Sequence, residues 1–188
     1  MPQPTLATRR LTLRPFRPGD APVVRQLAGE RAIADTTLNI PHPYEEGMAE
    51  EWIAGHEPGY EDGASATFAI VRQDDALLAG AIGLQIDRAI NKAELGYWIG
   101  APFWNRGYAT EATLAVLKFG FDDLRLNRIQ ACHFARNPAS GRVMQKAGML
   151  LEGTARQNII KWGRYEDLVS YAMLREDWQG VRTDQGGQ

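Results

Sequence analysis

Hydrophobic residues recur along the chain at two spacings, and the change from one to the other marks the predicted elements. Between Lys92 and Ile99 apolar side chains alternate with polar or small ones, which is typical of a half-buried strand. Pro102 ends that strand, because proline has no N–H to offer a ladder. From Gly107 onward the apolar residues form a wide arc at helical spacing. This stretch therefore predicts a strand, a tight turn and a helix.

Six further segments with strand character surround this unit. They are predicted over residues 9–16, 67–71, 80–86, 128–134, 150–160 and 165–174. Short polar turns join 67–71 to 80–86 and 150–160 to 165–174, so each pair is expected to form a hairpin. A helix between strands 92–99 and 128–134 requires those two to be parallel. The sequence predicts a mixed sheet of about seven strands with about four helices.

Two helix starts carry capping signals. Asp20 is predicted as an N-cap, with Pro22 in the first turn of a short amphipathic helix. Asn137 is predicted as the N-cap of a second helix that begins at Pro138 and is closed by Gly148. Both helices follow directly after predicted strands.

Length and composition favour one folded domain. The 188 residues contain 44% hydrophobic residues, which is enough for a real core. We expect a single domain over residues 1–178, followed by a loose tail over 179–188 that has too few apolar groups to pack. The net charge of −2 does not favour a nucleic-acid partner.

Cys132 is the only cysteine, so an intrachain disulfide is excluded and a reducing cytoplasm is the expected location. No stretch approaches the ~18 apolar residues of a membrane span, and neither a signal peptide nor a membrane partner is expected. The sequence holds no Walker-type or H-E-x-x-H motif and no His/Cys cluster. A bound metal is therefore not expected.

Residues 33–62 are the least regular part and hold many carboxylates without a Lys or Arg. The acidic residues that stand out are Glu45, Glu46, Glu50, Glu51, Glu57, Glu61 and Asp62. They either attract a cationic amine or form a solvated helix face. His42 and His56 in the same segment are expected at the surface or in a substrate loop, and His133 in the core.

The turn before the long helix is a potential anion site. Several backbone N–H groups converge at a helix N-terminus, and Gly107 leaves room for a phosphate to approach. The alternative is that Gly107 only relieves a cramped turn between strand and helix. Geometry predicted from the sequence does not separate these two interpretations.

Two motifs carry a family resemblance. The run W-N-R-G-Y-A-T-E-A, from Trp104 to Ala112, resembles the acetyl-CoA pyrophosphate loop of the GCN5-related N-acetyltransferases (GNAT superfamily). The preceding E-L-G-Y-W-I-G-x-x-F-W resembles the RimJ/RimL-like branch, which acetylates ribosomal-protein N-termini. Trp104 stands where the superfamily pattern has Gln or Arg. The resemblance covers the chain from Arg9 to Trp178.

The resemblance implies an α/β (α+β) GNAT fold in which parallel strands 4 and 5 splay apart around the pantetheine arm of acetyl-CoA. It implies that acetyl-CoA is the cosubstrate, with no metal, and that the acceptor is an amine on a protein N-terminus or a small molecule. It is compatible with a homodimer. The implied cofactor-binding residues are Trp98, Ile99, Arg106, Gly107, Tyr108, Ala109, Thr110, Asn137 and Ser140. Asn137 is otherwise explained by capping alone.

By the same resemblance, Ser140 is the expected proton donor to the departing thiolate. Glu94 is the candidate general base, because superfamily members often place a carboxylate on this strand; the alternative is an exposed strand glutamate. Some RimL-like enzymes place the base on the final hairpin, where this chain has Ile159. Two other functions stay open: an inactive acyl-CoA-binding regulatory module, and a binder of another phosphate ligand.

Overall fold

The computed structural model describes residues 2–178, so the predicted tail over 179–188 lies outside the described residues. The strands are β1 (Leu6–Ala7), β2 (Leu11–Arg14), β3 (Ser65–Arg72), β4 (Leu78–Asp87), β5 (Lys92–Ile99), β6 (Arg128–Phe134), β7 (Leu150–Lys161) and β8 (Arg164–Leu174). The α-helices are α1 (Ala21–Ala28), α2 (Arg31–Thr36), α3 (Met48–Ala54), α4 (His56–Glu61), α5 (Tyr108–Lys118) and α6 (Pro138–Lys146). A π-helical turn over Phe119–Asp123 extends α5.

All described strands form one sheet in the order β1-β2-β3-β4-β5-β6-β8-β7. Neighbours are antiparallel except β5 and β6, which are parallel because α5 returns the chain to the same end of the sheet. The predicted mixed α/β fold and both predicted hairpins are confirmed. In the final hairpin, β8 lies between β6 and the edge strand β7.

The sheet has eight strands rather than about seven, because the two-residue strand β1 precedes the predicted strand over residues 9–16, which is β2. The turn between β1 and β2 is held by Thr8, whose N–H donates to the carbonyl of Leu11 at 2.9 Å. The Thr8 hydroxyl oxygen accepts the N–H of Leu11 at 3.0 Å. The parallel pair is therefore the fifth and sixth strands, not the fourth and fifth.

Asp20 occupies the predicted N-cap position of α1, but its side chain makes no cap hydrogen bond and its backbone angles are helical. Its carboxylate instead accepts hydrogen bonds from the Arg14 guanidinium at 2.7 and 2.8 Å and from the Arg17 N–H at 2.8 Å. An arginine within reach offers a charge-assisted pair, which is stronger than a neutral cap bond.

Residues 31–61 form three short helices where the sequence indicated one helical stretch. These segments, α2, α3 and α4, span only six or seven residues each, so none shows a full amphipathic repeat. Within the described residues, no helix is both long and apolar enough to cross a bilayer.

Two apolar clusters cover the two faces of the sheet. One packs α5 against the sheet around Phe68, Leu84 and Leu117. The other packs α1 and α3 against the opposite face and includes Trp98 from β5. Because β5 contributes to both clusters, its backbone is fixed from both sides.

β5 and β6 splay apart as the resemblance implied. Their register joins Lys92 to Arg128 and ends where Glu94 faces Gln130, although both strands run further. Beyond that pair, the edges of the two strands face a gap in the sheet. The strand ends at the open side of this gap lead towards α5 and α6.

Candidate active site

Two cavities open around the gap between β5 and β6. The larger has a volume of about 550 Å³ and is lined by the carboxylate residues Glu51 and Glu94. Among residues 2–178, no Lys or Arg lines this cavity. We call it the acidic cavity. The rest of its wall is mainly apolar and aromatic.

The smaller cavity has a volume of about 430 Å³ and is lined by the N-terminal end of α5 and by α6. Arg142 and Lys146 line it from α6, four residues apart and hence on one helix face. In the part of the chain that the structure describes, no Asp or Glu lines it. We call it the basic cavity.

A small set of residues lines both cavities and therefore marks their junction. The shared residues are Thr36, Thr37, Tyr97, Trp98 and Ser140. An acyl group held at this junction is accessible from both sides. Such a geometry suits a transfer between two ligands that enter from different directions.

The turn before α5 has the geometry of an anion site. Gly107 is the N-cap of α5 and has a φ of 79°, in the left-handed region that favours glycine. The Glu111 N–H donates to the Gly107 carbonyl at 3.1 Å, so the N–H groups of the first helical residues before it are unpaired within the helix. They lie at the positive end of the helix dipole. The turn favours glycine at this position, and Gly107 also lines the basic cavity.

Arg10 fixes this turn from the N-terminal strands. Its Nη1 donates to the carbonyl of Arg106 at 2.9 Å and its Nε to Glu111 at 2.7 Å. Burial alone would raise the pKa of Glu111, but hydrogen bonds from Thr8 and Arg10 outweigh it and lower that pKa. Glu111 therefore stays ionised and ties β2 to the first turn of α5.

Trp104 has a structural role where the superfamily pattern has a polar side chain. Its indole N–H donates to the Ile99 carbonyl at 2.6 Å, which connects the turn to the end of β5. The Gly100 N–H donates to Ala79 on β4 at 2.9 Å. Because N–H directions alternate along a strand, the Trp98 N–H also faces β4, whereas the Ile99 N–H faces the gap. Of these two backbone N–H groups, that of Ile99 is the one available to a ligand in the gap.

Ser140 forms a close pair with Tyr97 at the junction. The hydroxyl oxygens of the two residues are 2.7 Å apart, and either can be the donor. The Tyr97 hydroxyl can instead donate to the backbone carbonyl of Ser140, at 3.1 Å. Burial raises the pKa of Tyr97 to about 12, although the hydrogen bond to Ser140 lowers it in part. Tyr97 is therefore protonated at neutral pH and can supply a proton through Ser140.

Glu94 lies at the vertex of the splay and lines the acidic cavity. The Cys132 thiol donates a weak hydrogen bond to its Oε1 at 3.8 Å. Burial, followed by the charge of Glu94, raises the pKa of Cys132 to about 11, so the thiol stays protonated at neutral pH. Two residues further along β5, a Cβ at Gly96 would meet no atom within 4 Å. Space for a ligand therefore lies next to the Glu94 carboxylate.

Asn137 is at the N-cap position of α6, but its side chain makes no cap hydrogen bond. Capping therefore does not account for this side chain, which lines the basic cavity. Seven of the nine implied cofactor residues line that cavity: Trp98, Ile99, Gly107, Tyr108, Ala109, Asn137 and Ser140. Arg106 and Thr110 do not line it, although both belong to the same turn.

Comparison with known proteins identifies the family. The acetyltransferase (GNAT) domain model matches residues 10–150. The chain belongs to this family. It is 30% identical over 174 residues to the uncharacterised N-acetyltransferase YnaD of Bacillus subtilis (strain 168), covering 92% of this chain and 98% of YnaD. It is 37% identical over 109 residues to YdaF of the same strain, a candidate ribosomal N-acetyltransferase, covering 57% of this chain and 60% of YdaF.

A solved structure of RimL, a ribosomal L7/L12 alpha-N-protein acetyltransferase in complex with coenzyme A, has the same fold as this GNAT domain. Its TM-score is 0.83 at 19% identity, over 91% of this chain and 98% of RimL. This likeness shows the fold alone. With the relatives above, it confirms the predicted family, an N-acetyltransferase with RimJ/RimL-like neighbours.

The final hairpin of this GNAT domain brings no carboxylate to the acidic cavity. Ile159 pairs with Glu166 across the hairpin, and the Glu166 carboxylate accepts a hydrogen bond from the Arg136 Nε at 2.8 Å. Neither Ile159 nor Glu166 lines either cavity. The structure thus leaves Glu94 and Glu51 as the carboxylates of the acidic cavity among residues 2–178.

The three histidines differ in their surroundings. His133 is buried, and its Nδ1 lies 2.8 Å from the carbonyl oxygen of Phe134, in keeping with its predicted core position. The His42 Nδ1 lies 3.2 Å from the carbonyl oxygen of Gly29. His56 is half-buried and packs against Trp52, and burial lowers its pKa to about 4.

Sequence analysis missed several residues of the site in this GNAT domain: Arg10, Thr36, Thr37, Tyr97, Arg142 and Lys146. Three of these carried a signal. Tyr97 belongs to the alternating pattern of the predicted strand Lys92–Ile99, and a buried tyrosine hydroxyl needs a partner. Arg142 and Lys146 are four residues apart on the helix that follows Asn137. Arg10 and the two threonines gave no signal, because they are distant in sequence from the motifs.

Proposed function

We propose that this GNAT-family enzyme transfers the acetyl group of acetyl-CoA to a primary amine by direct attack in a ternary complex. The observation that carries the proposal is the pair of oppositely charged cavities that meet at Tyr97 and Ser140. Phosphates of acetyl-CoA are complementary to Arg142, Lys146 and the α5 N-terminus. A cationic amine is complementary to the acidic cavity.

The residues of the basic cavity fit acetyl-CoA. Gly107 leaves the turn without a side chain, and free N–H groups of α5 point outward from it. The gap between β5 and β6 offers a path for the pantetheine arm towards the junction. Solved RimL carries coenzyme A on the same fold, which supports this choice of cosubstrate.

Each step of the reaction is assigned to a residue at the junction or next to it. Glu94 accepts a proton from the ammonium group, directly or through water, and frees the nitrogen lone pair. The amine nitrogen attacks the thioester carbonyl carbon, while the Ile99 N–H stabilises the negative charge on the oxygen. The C–S bond then breaks, and the thiolate takes a proton from the Ser140 hydroxyl, which is replaced by the proton of the Tyr97 hydroxyl. Tyr97 then regains a proton from solvent, and Glu94 releases its proton to solvent. The amide nitrogen loses its remaining proton to solvent.

Initial-rate kinetics with a thiol reagent test the proposal. Acetyl-CoA and a panel of primary amines are varied together, and the release of free coenzyme A is followed. Direct attack predicts intersecting double-reciprocal lines, whereas an acetyl-enzyme predicts parallel lines.

The same experiment separates the other two functions. An inactive acyl-CoA-binding module would bind acetyl-CoA in calorimetry but release no thiol with any amine. A binder of another phosphate ligand would gain thermal stability from a nucleotide and none from coenzyme A. Either result would refute the proposal.

A further inference from the structure

We infer that the acidic cavity selects a small cationic amine with an apolar alkyl or aryl body and with no carboxylate next to the amine. This inference rests on the proposed function and specifies its acceptor. It excludes free amino acids and acidic peptides as preferred acceptors. It follows from the charge, the wall and the floor of the cavity.

The charge of the cavity favours a cation and disfavours an anion. Glu51 and Glu94 line the cavity from α3 and from β5. Neither forms an ion pair with a Lys or Arg within the described residues. A carboxylate on the acceptor would meet like charge without a compensating cation. The α-carboxylate of an amino acid lies beside its amine and cannot avoid Glu94 when the amine reaches it.

The wall favours an apolar body. Its large side chains are Ile40, Tyr44, Met48, Trp52, Phe134 and Leu168. A volume of about 550 Å³ lies within the range of pockets that enclose a whole small molecule. An apolar alkyl or aryl body placed against these side chains would be removed from water, which is favourable.

The floor of the cavity places the amine next to the base. Gly96 lies between Glu94 and Trp98 on one face of β5, and a Cβ there would meet nothing within 4 Å. An apolar body above Gly96 would hold its amine between Glu94 and the junction residue Ser140. The open space over Gly96 thus connects the binding region with the reacting centre.

The wall formed by residues 37–41 has no regular structure but is fixed by the C-terminal hairpin. Lys161 is buried, and its Nζ donates to the carbonyls of Leu38 at 3.2 Å and Ile40 at 3.0 Å. Arg136 donates to the carboxylate of Asp35 at 2.9 Å. A wall held at several points keeps its shape, which a selective cavity requires.

Matched amine pairs test the inference, with thiol release as the readout. For the acceptor 2-phenylethylamine, kcat/KM should exceed the value for phenylalanine, which adds only a carboxylate, by about tenfold or more. Butylamine should likewise exceed norvaline, which adds only a carboxylate. A neutral hexapeptide amide with an N-terminal alanine should be weaker than 2-phenylethylamine. Equal or reversed order in either pair would overturn the inference, as would a preference for the peptide.

Two variants locate the selectivity. Glu51→Gln should lower the preference for 2-phenylethylamine over phenylalanine by about threefold or more, because half of the repelling charge is removed. The control Glu57→Gln changes an exposed glutamate that does not line the cavity and should leave the preference unchanged. Gly96→Val should weaken 2-phenylethylamine while acetyl-CoA affinity stays unchanged. An unchanged preference in Glu51→Gln would overturn the assigned role of the cavity charge.

Failure of this inference is distinguishable from failure of the proposed function. If amines are acetylated in a different order, the function stands and the acceptor class is wrong. If no member of the panel releases thiol above the rate without amine, although acetyl-CoA binds, the proposed transfer to amines is itself refuted.

Discussion

The two cavities share five lining residues but are built in different ways. The basic cavity is formed largely by the turn before α5 and by α6, which are regular and close to recognisable motifs. The acidic cavity takes much of its wall from residues 36–41 and from the short helix α3. A cosubstrate that is shared across a family suits a wall of regular geometry. A variable acceptor suits a wall made of irregular segments that tolerate change.

Gly107→Trp, in the basic cavity, should have the largest effect of the substitutions considered. Its side chain would fill the basic cavity at a position where φ is 79°, so steric block and backbone strain add. We expect loss of measurable acetyl-CoA binding in calorimetry. Gly107→Asn is the matched control, since asparagine tolerates the left-handed region, and it should keep most of the affinity. Full affinity in a folded Gly107→Trp protein would place the cosubstrate elsewhere.

Ser140→Ala removes the proposed proton donor at the junction. We expect kcat to fall by roughly 10²- to 10⁴-fold, with little change in acetyl-CoA affinity. Tyr97→Phe, which keeps the ring and removes only the hydroxyl, should reduce kcat by about 2- to 10-fold, as expected for one lost hydrogen bond. The comparison uses single-turnover rates and calorimetry. Equal losses of rate and affinity in Ser140→Ala would reduce Ser140 to a cosubstrate contact.

Glu94→Gln changes a residue that lines the acidic cavity and not the basic one. We expect kcat to fall by about 10- to 100-fold and to recover in part as pH rises, because more of the amine then arrives deprotonated. Removal of the Glu94 charge should also lower the pKa of Cys132, so iodoacetamide should alkylate that thiol faster at a given pH. A variant with the wild-type pH profile but faster alkylation would show that Glu94 faces Cys132 without acting as the base.

The same difference between regular and irregular segments explains which elements the sequence predicted with the right bounds. The strand Lys92–Ile99, the strand Arg128–Phe134 and the helix Pro138–Lys146 have the predicted bounds, because each shows several periods of its pattern. The two residues of β1 and the helices α2 to α4 are too short to show a period. Their existence depends on tertiary contacts instead.

For the candidate site too, the sequence predicted the residues in local motifs better than those in distant segments. Gly107, Asn137 and Ser140 lie in local motifs, so the sequence was sufficient to place them on the basic side. Arg10 and Glu111 are 101 positions apart in the sequence, and no local pattern predicts such a contact. The walls of the acidic cavity come from segments as far apart as Thr36 and Leu168. Only the folded chain brings them together.

The smallest predicted effect is a loss of folding stability at low pH, which arises from His56 next to Trp52. Burial lowers the pKa of His56 to about 4 from an ordinary value of 6.5. As pH falls through this window, the unfolded chain binds a proton that the folded chain does not, so stability is lost. His56→Phe keeps a ring against Trp52 and should unfold at a temperature that varies less between pH 7 and pH 5. An identical pH dependence in both proteins would show that His56 does not titrate in this window.

The central claim, that opposite charges assign the two ligands to the two cavities, is tested most directly by acetyl-CoA calorimetry on two charge-neutralised variants. Arg142→Gln/Lys146→Gln should weaken acetyl-CoA by about 3- to 30-fold and reduce the salt dependence of binding, since two exposed cationic contacts are lost. Glu51→Gln/Glu94→Gln should leave the affinity within about twofold of wild type. An unchanged affinity in the first variant, or an equal loss in both, would contradict the account.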